Sequence, residues 1–560
     1  MTTEAAGSTR ATELLRRPWV AALVVLAVYG VLALLNSTGG YLGTDTGAKV
    51  ITLDRMAAED TFSPAIGYWA EEWDPDGDYH PLFDTRQNDE GEWVNVTTLP
   101  MLIAARPLYE VGGYRLALLL PMLGGLLAAF ACRDIARRLA GEREGWWAFW
   151  VTALASPILV YSLDLWEHSV GAGLMLGAVA LLLRVIQGAS PWWVAVFAGV
   201  ALGLSATMRA ETFVVAFVSV GATGLALLVR RRLVAAFSAG ALAVVGFAGP
   251  WLVNAALEVD LGGNRRTSRV SGQAQRQWWT ELAERGEEAL ITWFGLPGFD
   301  YPGSVIMGAA IVGAIVLAVA VHRRGEQRPA VIALGVAGLV YLIAFASGLG
   351  FVSGALIASP FAAAAGLLRR DRDRWNVLGM ALVMTVLIWT FQLTGGAVPQ
   401  WGGRYLLVPT LLLTTLGLVA LVERADDRLP RLTVAGFSVA VTLFGAAWLQ
   451  HRSHEVDDFF DDLAARPEDV IISPNGFFVR EAGPAYDERR YLSVGRGADV
   501  EGAVEVVQDA GYTTFAVLTQ AEEAPDLNAT LLGTDVVEVL GVPLSYHRFE
   551  LAPAGSSSDG

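Results

Sequence analysis

Asp45 and Lys49 stand four residues apart in "GTDTGAKV" (43–50), just past the first long apolar run, and Lys49 is the only lysine in 560 residues. A carboxylate there can take a proton from an attacking hydroxyl, and an ammonium can hold an anionic leaving group. On a helix, a spacing of four would put both on one face. The plainer reading of the pair is a helix cap and a contact with lipid headgroups. Three further groups of residues invite similar questions. "LDLWEHS" (163–169) packs Asp164, Glu167 and His168 into a short hairpin, suited to an acceptor wall, to part of a metal site or to a solvated turn. "ATMRAET" (206–212) carries Arg209 and Glu211, and "PQWGGRYLLVP" (399–409) carries Arg404 behind two glycines. Arginine grips phosphate through two parallel hydrogen bonds, but it also pairs with loop acids or snorkels to the interface. "DPDGDYH" (74–80) repeats the first three ligands of a calcium loop in Asp74, Asp76 and Asp78. Its glycine is misplaced and no glutamate closes it, so the match is partial.

These groups must be positioned by apolar helices. Hydrophobic residues make up 54% of the chain and charged ones 17%, a composition outside the soluble globular range. Runs of about 17–25 apolar residues, enough to span a bilayer, recur thirteen times: 19–36, 114–132, 146–162, 169–187, 191–207, 212–229, 233–256, 304–321, 330–347, 354–368, 375–393, 405–422 and 431–449. The expected fold is therefore an all-α polytopic membrane protein of about thirteen transmembrane helices, with a small C-terminal α/β domain.

Arginine clusters at 16–17, 133–143, 230–232, 323–324 and 369–374 fall on alternate loops. By the positive-inside rule these loops are cytoplasmic. Loop 37–112 has 14 acids and 4 bases, and residues 453–560 have 21 and 6, so against a whole-chain charge of −16 the remainder is about +9. Acid thus lies outside and base inside. The expected organisation is a cytoplasmic N-terminus (1–18), a transmembrane domain (19–452) with exterior loop 37–112, and an exterior α/β domain (453–560).

Within the first loop, "NVTTLPMLIAARPLYEVGG" (95–113) reads as one or two helices in the membrane interface. Trp69, Trp73 and Trp93 would anchor that layer or stack on a sugar ring. Segment 258–302 reads as a surface loop and a short helix. Sequons begin at Asn36, Asn95 and Asn528. A single cysteine, Cys132, excludes an internal disulfide. P-loop, Rossmann, HExxH and GxSxG patterns are missing, and no row of acids crosses the spans.

In order and sidedness, "YLGTDTGAK", "TLPMLIAARPLYEVGG", "LDLWEHS", "MRAE" and "QWGGRYLLVP" resemble the GT-C integral-membrane glycosyltransferases, the group that includes protein O-mannosyltransferases and the lipid A aminoarabinose transferase. The resemblance covers 19–449, and the tail only by position. It implies transfer of a hexose or pentose from a polyprenyl-phosphate carrier to an exterior acceptor glycan, lipid or protein. Asp45 matches the catalytic carboxylate; Lys49, Arg209 and Arg404 match phosphate contacts. A WWDYG-type motif is missing from the C-terminal part, which disfavours glycan transfer to asparagine. A single carboxylate predicts inversion, whereas retention would need a second one such as Asp54 or Asp164. No cofactor is required by this scheme; a divalent ion (Mg, Mn or Ca) held by Asp45 with Asp164 or Glu167 defines a metal-dependent variant. Nucleic acid is not an expected partner. The rival classes are a transporter or flippase of lipid-linked glycans and a non-catalytic envelope assembly protein.

Overall fold

The computed structural model describes residues 13–262, 290–296, 302–346, 354–391, 401–423, 428–474, 476–495 and 499–551. Most of the expected N-terminal segment and of the 258–302 loop lies outside them. Ten described helices are long and apolar enough to cross a bilayer. They are α1 (Pro18–Leu35), α4 (Leu119–Ala140), α7 (His168–Gln187), α9 (Thr212–Val229), α10 (Leu233–Gly262), α11 (Pro302–Arg323), α12 (Gln327–Ala346), α14 (Arg372–Phe391), α15 (Leu407–Val422) together with the 3-10 turn before it (Arg404–Leu406), and α16 (Arg428–Ala465). The chain is a multi-pass membrane protein.

The other three of the thirteen apolar runs are broken or short. Run 146–162 splits at Ser156-Pro157 into α5 (Glu142–Leu154) and α6 (Pro157–Tyr161), because proline removes a helix donor and biases its predecessor away from helix. Run 191–207 holds only a 3-10 turn and α8 (Ala195–Ala206). Run 354–368 divides at Ser359-Pro360 into α13 (Ala355–Ala358) and a 3-10 segment.

Helix α15 is apolar on every side and buried along its whole length, so it forms the axis of the bundle. Helices α8 and α10 approach backbone to backbone. A Cβ on Gly199 or Gly203 would come within 2.1–2.3 Å of the Ala243 or Phe247 carbonyl oxygen, the small-residue packing expected within a membrane.

Loop 37–112 is an ordered layer. It contains α2 (Thr44–Ala58), a short antiparallel pair β1 (Thr85–Gln87) and β2 (Trp93–Asn95), and α3 (Leu99–Ala117). Helix α3 runs through Pro107 and kinks at Gly112 and Gly113, the latter at φ 62°. The tail forms a five-stranded sheet in the order β4-β3-β5-β7-β6: β3 (Val470–Ser473), β4 (Arg490–Ser493), β5 (Thr514–Thr519), β6 (Thr530–Val539) and β7 (Val542–Glu550). Strands β3, β4 and β5 are parallel; β7 joins β5 and β6 antiparallel.

The loop packs on this sheet as part of its core. Ile51, Ile66 and Leu82 share one apolar cluster with Phe459, Ile471 and Tyr546, and Tyr68 and Trp93 share another with Ile472 and Phe515. The indole of Trp69 donates to the Tyr491 carbonyl at 2.9 Å and its ring lies edge-on to Tyr512. Trp69 and Trp73 thus fasten the loop to the tail rather than to lipid. Helix α16 continues without interruption from the bundle into the tail for 38 residues. At Asn95 the sequon asparagine is buried, its amide donating to the Ala48 carbonyl and Thr52, so it binds α2 and does not face solvent.

Candidate active site

Helix α2 begins at Thr44, which puts Asp45 in its first turn, where a carboxylate suits the helix dipole. The helix is held by Asp164, whose buried carboxylate accepts from the Leu42 backbone N–H at 3.0 Å, from the Thr46 hydroxyl at 2.5 Å and from the Tyr114 hydroxyl at 3.2 Å. Burial pushes this carboxyl up from its usual range, and those donors work against the shift. With three protein donors on it, Asp164 is a clamp for α2, not an open wall.

Asp45 and Lys49 share the helix, but their side chains bond to different groups. Lys49 is buried, its Nζ 3.3 Å from the Asp45 backbone carbonyl oxygen and 2.9 Å from Glu167 Oε2. The second contact is close enough for an ion pair but is not aligned as a hydrogen bond. Glu167 also lies 3.6 Å from Arg209, whose Nε donates to Glu211 at 2.9 Å. Burial alone would raise the Glu167 carboxyl, but Lys49 and Arg209 outweigh it and hold it low and ionised.

Arg404 joins from the far end of the sequence. Gly402 and Gly403, at φ 69° and 65°, take the left-handed conformation that glycine tolerates. A Cβ on Gly402 would lie 2.5 Å from Pro157. The guanidinium then sits 4.7 Å from the Tyr405 ring and 5.3 Å from that of Trp166, while Arg209 lies 5.0 Å from the same Tyr405. Lys49, Arg209 and Arg404 therefore meet around Glu167, Trp166 and Tyr405.

Several buried polar atoms in this cluster lack a protein partner: both ring nitrogens of His168, Trp166 Nε1, Arg209 Nη2 and Glu211 Oε2. His168 is stacked on Tyr161 at 4.8 Å. Leaving such groups unpaired costs about 1–3 kcal/mol each, and several of them gather in this one cluster.

The Asp45 carboxylate turns the other way, toward the tail, and remains 39% exposed. Arg480 Nη2 donates to it at 3.0 Å, and Arg480 Nη1 lies 3.7 Å from Asp84. Gly47 allows this closure, since a Cβ there would sit 2.1 Å from the Arg480 carbonyl oxygen. Arg452, on α16, reinforces it by donating to the Leu42 carbonyl and to both oxygens of Glu481. Neither tail arginine was among the expected site residues. Nothing in "FFVREAG" separates Arg480 from its neighbours Arg489 and Arg490.

The metal-ligand expectations find little support in donor chemistry. Asp74 accepts from the Tyr68 hydroxyl and the Asp78 and Tyr79 amides, with both oxygens engaged in a turn. Glu167 and Glu211 face cations, and Asp164 is tied up as above. Among the described residues no three His, Cys, Asp or Glu side chains are grouped to hold an ion. These residues do not fit a divalent ion.

No family model matches the chain, and no curated protein sequence does. Among solved structures, the chain is similar to the oligosaccharyltransferase of Archaeoglobus fulgidus, solved with zinc and sulfate, at 14% identity and TM-score 0.45 over 88% of this chain and 67% of that one. It is also similar to ArnT from Cupriavidus metallidurans bound to undecaprenyl phosphate, at 16% identity and TM-score 0.44 over 94% and 98% of the two chains. Likeness this loose carries no residue role and no substrate from one protein to the other.

Proposed function

We propose that this protein is a membrane glycosyltransferase of the GT-C kind. It would move a sugar from a polyprenyl-phosphate carrier to an acceptor hydroxyl at the non-cytosolic headgroup level. The observation that carries this reading is the meeting of Lys49, Arg209 and Arg404, from three distant stretches, beside unpartnered buried polar atoms, with Lys49 one turn of α2 beyond Asp45.

In this scheme three cations against Glu167 and Glu211 leave the pocket one positive charge to meet a phosphate diester. Asp45 Oδ takes the proton of the acceptor hydroxyl as its oxygen bonds to the anomeric carbon. The bond from that carbon to the phosphate oxygen breaks, and its electron pair leaves with the polyprenyl phosphate. Cations stabilise that leaving charge without a general acid, and one displacement inverts the centre. Asp164 is an unsuitable second nucleophile because its oxygens are bonded, and Asp54 accepts from Tyr109 at 2.6 Å in the last turns of α2. Arg480 would hold the Asp45 carboxylate in its working orientation, and the loop and tail together would lie outside the membrane.

The test uses purified protein and a panel of polyprenyl-phosphate sugars. Asp45→Asn should bind donor like the parent while transfer falls about 100- to 10,000-fold, the usual worth of a general base. Full turnover by that variant would remove the base assignment.

A further inference from the structure

Two apolar hollows, of about 150 and 40 Å³, lie among α11, α12, α16 and the 3-10 segment that follows α13 (Pro360–Leu367). Ile315, Leu334, Pro360, Ala363 and Val434 line both, so the two form one groove. It is open beside α12, where Gly335 is exposed and a Cβ on it would meet nothing within 4 Å. Along α11 the groove runs from Ile311 to His322, about 16 Å at 1.5 Å per residue. Half of a hydrocarbon core about 30 Å thick is about 15 Å, so the groove has the depth of one leaflet. We infer that it holds a chain of an anionic phospholipid, whose headgroup rests on arginines at the His322 end. The inference stands independently of the transferase reading.

Charge at the rim chooses the headgroup. Arg323 follows His322 and donates to the Gly366 carbonyl, next to Leu367 of the lining. Arg328, Arg369 and Arg431 stand one or two residues from the lining residues Ala330, Leu367 and Pro430. The stretches 322–330, 367–374 and 421–431 carry ten arginines against six acids, and two of those acids, Asp373 and Glu423, are taken by Arg230 and Arg374. Among the described residues no carboxylate pairs with Arg328, Arg369 or Arg431, and Arg431 Nη1 has no hydrogen-bond partner. A basic rim over an apolar slot between membrane helices suits a negative headgroup on a hydrocarbon chain. A zwitterionic lipid would leave that surplus of charge unmet. A prenyl phosphate fits poorly, because Arg404 precedes α15 whereas Leu421, in the groove wall, lies at the other end of that helix.

The experiment uses the full chain in detergent, with dioleoyl phosphatidylglycerol, dioleoyl phosphatidylcholine and undecaprenyl phosphate added in turn, read by native mass spectrometry. Phosphatidylglycerol should be retained about tenfold or more tightly than phosphatidylcholine. Arg328→Gln with Arg431→Gln should erase that preference. Gly335→Phe places a ring in the groove and should release the retained lipid, leaving undecaprenyl phosphate binding as in the parent. Parent-like melting temperatures without added lipid verify the fold of each variant. The inference is overturned if phosphatidylcholine is held as tightly, if the double variant keeps the preference, or if Gly335→Phe keeps the lipid. Displacement of phosphatidylglycerol by undecaprenyl phosphate, one for one, also overturns it and gives the groove to the sugar carrier. A chain that retains phosphatidylglycerol but binds no undecaprenyl phosphate supports this inference and counts against the transferase reading alone.

Discussion

The two ends of the helix bundle use charge in opposite ways. At one end Asp134 of α4 receives Arg137, Arg138 and Arg184, at 2.7, 2.9 and 2.9 Å. Arg230 pairs with Asp373, and Arg374 grips both oxygens of Glu423 while also donating to the Leu139 carbonyl. Every oxygen of those three carboxylates has a partner. At the other end Glu167 and Glu211 are more deeply buried, and each keeps an oxygen without a hydrogen-bond partner, as do atoms of Arg209, Trp166 and His168; at the first end Arg133 Nε and Arg137 Nε also lack one, so the contrast lies in the carboxylates. A paired buried network specifies packing, whereas one left open costs free energy and is retained where a ligand completes it. The first end pairs every carboxylate oxygen, and the second leaves some unpaired.

Crossed substitutions would break this contrast or sharpen it. The largest effect is expected from Lys49→Met, which leaves buried Glu167 with Arg209 alone; donor affinity should fall about 100-fold or more, since truncating one partner of a buried pair costs about 2–5 kcal/mol. Asp134→Asn should do the reverse. Three arginines lose their shared anion, and the melting temperature in detergent should drop by the equivalent of about 3 kcal/mol, with donor affinity unchanged. If either variant behaves like the other, the contrast between the ends fails.

A pH effect should follow in the loop. Burial lowers the His80 imidazole from 6.5 to about 4, and the Leu82 amide, donating to Nδ1, suits the neutral ring. A histidine whose folded pKa is depressed gives full stability above pH 6.5 and loses it as pH falls toward 4, because the unfolded chain takes up the proton first. The loss should approach about 3 kcal/mol, visible as a falling melting temperature over that window, and His80→Gln should flatten the slope. The smallest effect is expected from Gly47→Ala. Its Cβ must displace the Arg480 carbonyl, at a cost of about 1–3 kcal/mol, so transfer should fall several-fold with donor affinity kept. Normal transfer by Gly47→Ala would mean that contact with Arg480 does not matter to Asp45.

The spans, and several residues that the fold gathers around Glu167, were legible in the sequence for physical reasons. Apolar runs of bilayer length are unambiguous, and ten of thirteen became long helices. The exceptions contain an internal proline or collapse to a 3-10 turn, which a run of hydrophobic letters hides. Lys49 stood out as the only lysine, Arg404 as the arginine behind two glycines, and Arg209 as an arginine on a loop outside the arginine-rich ones. Asp164 and Glu167 looked equivalent in sequence; only tertiary contacts separate the clamp for α2 from the partner of Lys49. Arg480 was hidden because its meaning depends on how the tail folds over α2, a contact between residues 435 positions apart.

Helix α16 runs unbroken from Arg428 to Ala465, about 57 Å at 1.5 Å per residue. A rod of that length, anchored in the bundle at one end and in the sheet at the other, has no joint at which the two could move independently. Thinning or thickening of the surrounding lipid that tips the last span must swing the tail through the same angle, so bilayer thickness and the tail's seat over α2 share a single mechanical coordinate.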